Sequence, residues 1–544
     1  MRIQRVEGRF QPTGDAKCGE SVGGMVATAF PEATAAGVEM LVQGGNAIDA
    51  ACATGLTLGV CEPQASGLGG QCMGLVHFEG RTFALDGSSR APSLAHRSQL
   101  ERREQLRVGY RATTVPSSPA TYAWLHRNYG KLDWHTVLEP AIRVAREGYR
   151  ITQLQHDIQT RECENFLKVP SLSGARYFLG VDGEPRPIGS TFTQPELANV
   201  LELIASKGVE AFYQGDIADQ IDADMRANDG LLRADDLAFI PWPVERHPLA
   251  RRYRGYLVKS MPPPGAGRTL LLVLLMLNYL KSAFMGGRAP ERYHFLAETF
   301  RKAFLQRKDR PFDANTYPQL HDKRMLSKRF ARTLAASIAE EMDVSLPLED
   351  PSGTEVGETT HFSVMDRDGN TITMTQSIEL VYGSKAAADG LGFLYNNYML
   401  AFELDNPAHP YYLRPNATPW SSAAPTIVFR RNDPWIAAGS PGSERIFSAI
   451  TQFLVAVLDG SAPLSHAADE PRIHCSIGGK LSYEDGRIPP GVVDYLARLG
   501  YTLSPREPYA FYLGCVQAVL KRQSGSGFHG VADPRRDGTA AGPA

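Results

Sequence analysis

No two cysteines of this chain stand in CxxC spacing; the seven (Cys18, Cys52, Cys61, Cys72, Cys163, Cys475, Cys515) lie scattered, which argues against a zinc ribbon or a disulfide scaffold. Most of them read as buried, reduced thiols. The thirteen histidines include no HxxxH pair or comparable ligand cluster, so no metal and no cofactor is expected. There is no long basic run, and the formal net charge is −2, so the phosphate-neutralising surface of a nucleic-acid binder is missing. The longest apolar run, Leu270 to Leu277, is far short of the roughly 20 residues a membrane helix needs. The first ten residues carry Glu7 among basic side chains and lack the apolar stretch of a signal peptide. The expectation is a cytoplasmic protein with neither nucleic acid nor membrane as partner.

What is present is ordinary for a globular enzyme: 544 residues, 43% hydrophobic and 21% charged, a length that leaves the domain count open. No internal repeat is evident. Residues 24 to 60 are expected to be helical in two stretches. One runs through Pro31-Glu-Ala-Thr-Ala-Ala-Gly-Val; the other starts at Ala47 behind an Asn46 cap, with Gly44-Gly45 as the break. Met73 to Phe78 and Thr82 to Asp86, joined by Glu79-Gly80, read as a hairpin. The glycines of Ser66-Gly-Leu-Gly-Gly70 do not make a dinucleotide loop, because Cys72 stands where a third glycine is needed and no helix follows. Residues 119 to 148 and 194 to 240 read as mainly helical, Pro262-Pro-Pro-Gly-Ala-Gly267 as a rigid loop into the helix of the Leu270 run, and His294 to Lys308 as an amphipathic helix.

From Glu340 to Glu358 the chain turns to loop chemistry, with Pro347, Pro351, Gly353 and Gly357 among acidic residues, and is expected to be exposed and deformable. A hairpin follows: Thr359 to Met365, a turn over Asp366-Arg-Asp-Gly-Asn370, then Thr371 to Ser377. Centred on Asp368, it puts Thr359 opposite Ser377, with their Cβ atoms about 5 Å apart. A hydroxyl is a poor nucleophile near neutral pH unless a base takes its proton, and an α-amine, with a pKa of about 8, can serve as that base. A cut between Glu358 and Thr359 would create nucleophile and base in one residue. Threonine and serine are also common in exposed strands, so the residues alone leave both readings open.

Five ordered motifs carry a resemblance: Asn46-Ala-Ile-Asp-Ala-Ala51, Cys61-Glu-Pro-Gln-Ala-Ser-Gly-Leu-Gly-Gly70, Thr359-Thr-His-Phe-Ser-Val-Met-Asp-Arg-Asp-Gly-Asn370, Ser421-Ser422 and Gly439-Ser-Pro-Gly442. From about residue 24 to Asp533-Pro-Arg-Arg536, the chain resembles the γ-glutamyltransferase family of N-terminal nucleophile hydrolases. The resemblance implies an α+β, four-layer αββα sandwich, made as one chain and cut into a large subunit (1–358) and a small one (359–544) that form one intertwined domain. It also implies roles. Thr359 matches the nucleophile, Ser377 the hydroxyl that orients it, the amides of Gly442 and Ser443 the oxyanion hole, and Ser421 with Ser422 the pair that binds a substrate carboxylate.

The sequence departs from that pattern at the glutamyl clamp. The arginine that holds the substrate α-carboxylate falls on Ser88, with Arg90 two residues on; the acid that holds the α-ammonium falls on Ala401; a nearby asparagine becomes Glu379; and Tyr398 replaces a polar residue. Each lost charge-assisted contact is worth about 1.5–3 kcal/mol. The expected substrate is therefore a small non-glutamyl amide such as an oxamate-like one. A genuine glutathione hydrolase clamping through Arg90 and Glu379, a cephalosporin-acylase-like or carbon–carbon-cleaving enzyme, an inactive binding protein, and a homo-oligomer all stay open. A serine hydrolase built on Ser440 is disfavoured by Pro441, which has no N–H to offer an oxyanion.

Overall fold

A computed structural model describes residues 17–100, 102–280, 289–309, 324–338, 342–343, 357–522 and 527–543. The N-terminal residues read above and most of the acidic segment 340–356 lie outside the described residues.

Two wholly antiparallel seven-stranded sheets face each other. One runs, edge to edge, Lys17–Ser21, Phe528–Ala532, Gln517–Lys521, Asp433–Gly439, Thr426–Arg430, Tyr256–Ser260 and Leu249–Tyr253. The other runs Thr539–Ala541, Gly24–Thr28, Gly357–Asp366, Thr371–Leu380, Gln71–Phe78, Arg81–Gly87 and Val244–Arg246. Strand alternation divides the core into layers. Met25, Ala27, Leu75 and Met365 meet Ile427, Phe429, Ala437 and Val519 between the sheets. Val26, Val76, Val364 and Ile372 point outward into helices Pro31–Val42, Ala47–Cys61 and Trp134–Glu147. Val258, Val428 and Ile436 do the same on the far side, under helices Gly267–Leu277, Pro290–Asp309 and Ile446–Leu458. The result is a four-layer αββα sandwich.

The Asn-Ala-Ile-Asp motif has a mechanical reason. Asn46 Oδ1 accepts from the amides of Ile48 (2.8 Å) and Asp49 (3.2 Å), while Asp49 Oδ2 accepts from the amide of Asn46 (2.9 Å), closing a capping box at the helix start. The next unsatisfied helix amide, Ala47 N, donates to Asp366 Oδ2 (3.0 Å), and Asp366 also binds the amides of Asp368 and Asn370. One carboxylate thus fastens a helix end to the turn of the Thr359 hairpin.

Helices Pro31–Val42 and Ala47–Cys61, the hairpin of Gln71–Phe78 with Arg81–Gly87, and the helices within 118–147 and 195–238 agree with expectation. Gly24–Thr28 differs: it is a strand, not part of a helix, and all five residues are buried. With both faces covered, its apolar run carries no alternation to mark it as a strand. The Leu270 run forms the wholly buried helix Gly267–Leu277, and no described helix is long and apolar enough to cross a membrane.

Candidate active site

Thr359 stands where the hairpin register breaks. The expected pairing, with Thr360 opposite Gln376, holds from the turn up to this point, then shifts by one so that Glu358 faces Glu379. Ser377 and Ile378 together oppose Thr359, a β-bulge that re-aims the side chains beside it. Glu379, just beyond, has φ +81°, a left-handed conformation that costs a non-glycine residue energy. The strand is longer than expected, and the Glu358–Thr359 bond is not exposed. It lies inside strand Gly357–Asp366, with Glu358 at 1% and Thr359 at 6% accessibility. The pairing of Glu358 with Glu379 extends the ladder past the proline- and glycine-rich segment and draws the bond into the sheet.

The bulge joins three oxygens in series. Thr359 Oγ1 donates to Ser377 Oγ (3.2 Å), and Ser377 Oγ donates to the carbonyl oxygen of Glu358 (2.9 Å). Ser377 Oγ also accepts from the Glu379 amide (2.9 Å), so its one donor and two acceptor positions are all used. The Gly69-Gly70 pair lets its loop approach this point. A Cβ on Gly70 would lie 2.4 Å from the Ser377 carbonyl oxygen, and one on Gly69 would lie 2.0 Å from that of Leu394. The strand Gln71–Phe78 follows directly, so these glycines serve packing.

Thr359, Ser377, Glu379, Tyr398, Ser421, Ser422 and Ser443 line one cleft, with Gln71, Cys72, Met73, Thr375, Ala423 and Ile446. Tyr398 is buried, and its hydroxyl lies close to Glu379, Ser377, Gln71 and Ser421. Burial pushes the Glu379 carboxyl up to about 7; the Tyr398 hydroxyl opposes the shift and Glu444 adds to it. Asn396 fixes Tyr398 in place: its Oδ1 accepts from the amides of Thr114 (3.1 Å) and Tyr398 (3.0 Å), and its Nδ2 donates to the Gly69 carbonyl (2.7 Å). Ser421 is pinned by its amide to Pro264 O (3.1 Å), the rigid loop expected before the Leu270 helix.

Gly442 (φ +123°) and Ser443 (φ +51°) make the turn that opens helix Ile446–Leu458, where amides lack intrahelical acceptors. Ser443 lies against the strand of Thr359: a Cβ on Gly357 would come within 2.7 Å of the Ser443 Cβ. Arg90 is placed elsewhere. Its guanidinium binds the carbonyls of Asp236 and Phe239 and stacks 4.6 Å from the Phe239 ring, and it does not line the cleft. Ser440 is also outside the cleft; it is buried, and its Oγ accepts from the Cys515 amide (2.8 Å).

Sequence reasoning did not single out a polar ladder behind Thr359. His361 Nδ1 bonds Thr375 Oγ1 (2.8 Å) and its Nε2 bonds Thr373 Oγ1 (2.9 Å) and Ser363 Oγ (3.2 Å), all between the sheets. Burial lowers the His361 pKa to about 3, so the ring is neutral at physiological pH. The available signal was the alternation His361, Ser363 against Thr371, Thr373, Thr375, which normally marks a solvent face.

Residues 33–543 match the sequence model of the gamma-glutamyltranspeptidase family. The chain belongs to this family. It is 31% identical over 543 aligned positions to the glutathione hydrolase proenzyme of Escherichia coli strain K12, covering 94% of this chain and 90% of that one. It is 32% identical over 538 positions to the acylase ACY 1 proenzyme of Pseudomonas sp. strain V22, covering 95% and 93%. The crystal structure of cephalosporin acylase from Bacillus halodurans superposes with a TM-score of 0.88 at 26% identity, covering 100% of both chains. This gamma-glutamyltranspeptidase-family chain is therefore an enzyme with the N-terminal nucleophile hydrolase fold, and its relatives include proteins named as proenzymes.

Proposed function

We propose that the enzyme cuts itself before Thr359 and then uses the freed threonine to form an acyl-enzyme with a small non-glutamyl amide. The observation that carries the first step is the series Thr359 Oγ1, Ser377 Oγ, Glu358 O. Thr359 Oγ1 adds to the Glu358 carbonyl carbon as its proton passes to Ser377, whose own proton moves to the carbonyl oxygen. The carbon–nitrogen bond then breaks as the proton of the new hydroxyl passes to the Thr359 nitrogen, which leaves as an amine, and an ester joins Glu358 to Thr359 Oγ1. Water hydrolyses the ester, leaving a carboxylate on Glu358 and a free α-amine on Thr359. That amine is the base for later turnovers, with the amides of Gly442 and Ser443 as donors to the oxyanion.

The substrate reading rests on the lining of the cleft. Among the described residues that line it, Glu379 is the sole charged side chain. A γ-glutamyl α-carboxylate, or the carboxylate of oxamate, would find Ser421 and Ser422 but no lysine or arginine. An acyl group that is neutral or bears an amine fits this charge pattern better. The E. coli relative's name supports a second reading, glutathione hydrolysis. Assaying γ-glutamyl-p-nitroanilide beside short neutral and amino-acyl anilides separates the two. The expected result is release from the latter alone, and robust release from the γ-glutamyl compound would replace this substrate reading.

Glu379 gives a pH signature. A carboxyl whose folded pKa is raised favours folding most when protonated, below its ordinary value of about 4.5, and that contribution is lost as pH rises through about 7. In an uncut Thr359→Ala background, Glu379→Gln is expected to be more stable than its parent at pH 8, by on the order of 1–3 kcal/mol, and equal to it at about pH 4. Urea unfolding at the two pH values checks this. An equal difference at both would contradict the raised ionisation.

A further inference from the structure

The residue just before the nucleophile has a buried partner of its own. Glu358, Arg536 and Glu62 are 1%, 3% and 2% accessible. Arg536 Nη1 lies 3.1 Å from Glu62 Oε1, and its Nη2 is ion-paired with Glu358 Oε1. The three come from distant parts of the chain: Glu62 ends helix Ala47–Cys61, Arg536 follows strand Phe528–Ala532, and Glu358 sits in the bulged hairpin.

We infer that Arg536, held by Glu62, is a positioning residue for self-cutting: it anchors the Glu358 side chain so that the Glu358 carbonyl stays in line with Thr359 Oγ1 and Ser377 Oγ. The segment around the bond is then gripped in three ways. Gly357 is pressed against Ser443, the Glu358 carbonyl accepts from Ser377, and the Glu358 side chain pairs with Arg536. The first two grip only backbone. The third reads the side chain, and it makes the identity of the residue before the cut matter. A carboxylate at this depth needs a cation, so Glu358 is drawn to Arg536 and the strand is fixed at the residue whose carbonyl is attacked. Reaction rates fall steeply when reacting atoms are displaced by an ångström, which is how a group that touches neither nucleophile nor carbonyl can control the step.

The inference rests on the self-cutting reading, and its test separates the two. Full-length chain made by cell-free synthesis is followed by denaturing electrophoresis and N-terminal sequencing, giving a first-order rate for appearance of the 1–358 and 359–544 fragments. Glu358→Gln and Arg536→Gln are each expected to cut about tenfold more slowly, the scale set by one charge-assisted contact. Arg536→Lys should recover part of the rate. The double variant should be no slower than the slower single, because the two groups act through one contact. A wild-type rate in Glu358→Gln, or a double variant slowed by the product of the single effects, overturns the inference. Glu358→Gln decides alone if Arg536→Gln does not fold, since it keeps the Arg536–Glu62 pair and nearly the same volume. A wild-type chain that stays whole, or is cut elsewhere, overturns the self-cutting reading and this inference with it.

Discussion

Thr359→Ala is expected to persist as one 544-residue chain, with no acyl turnover, under conditions in which the wild type becomes two fragments. In the proposed mechanism the substitution removes the oxygen that attacks Glu358, and without the cut no α-amine is freed at residue 359 to act as base. Ser377→Ala should be milder, slowing both the cut and turnover by roughly 10²-fold, because it removes one donor to a developing charge while leaving the nucleophile in place. Electrophoresis with N-terminal sequencing measures both. A Thr359→Ala chain still severed after Glu358 would mean that another group does the cutting.

Arg535→Met is expected to cost about 3–5 kcal/mol of folding stability, as breaking a buried ion pair from one side generally does. All five guanidinium donors of Arg535 are engaged. Nε and Nη2 bind Glu484 (2.6 and 2.8 Å), Nη1 binds Asp533 (3.0 Å) and the Ala468 carbonyl (2.9 Å), and Nη2 also binds the Glu470 carbonyl (2.9 Å). Arg472 completes the cluster on Asp533. Methionine fills much of the space but leaves two buried carboxylates with fewer counter-charges. Burial alone would raise the Asp533 pKa, yet Arg472 and Arg535 more than reverse this and hold it below its ordinary value. The stability Asp533 contributes is therefore present above the normal carboxylate range and lost only as pH falls through the depressed value. Urea midpoints in the uncut Thr359→Ala background should show the full difference, unchanged from pH 5 to pH 8.

The hairpin of Thr359 was legible because its turn is strongly coded and both strands are rich in β-formers, and the register that places Thr359 opposite Ser377 follows from the turn alone. The bulge was not legible. Nothing local marks Ser377-Ile378 as two residues facing one, since the shift depends on the pairing of Glu358 with Glu379 beyond it. The buried setting of the Glu358–Thr359 bond was missed for the same reason: the segment's proline and glycine content speaks for its own conformation, not for the sheet that its end joins. Gly24–Thr28 and the His361 ladder were opaque because they lie between layers, where a strand loses its polar face or where polar residues face a second sheet. Arg90 shows the limit of transfer by position, because two residues along a chain were enough to aim its guanidinium at Asp236 and Phe239.

Both sheets draw strands from either side of the Glu358–Thr359 bond: Thr371–Leu380 pairs with Gln71–Phe78 in one, and Thr426–Arg430 pairs with Tyr256–Ser260 in the other. Before a cut, these pairings close within a single molecule and refolding is independent of concentration. After it, the same hydrogen bonds join two polypeptides that, once parted by urea, must meet again by diffusion. A matured enzyme would therefore show hysteresis on denaturation that its uncut parent lacks, and its working lifetime would be set by how slowly it opens.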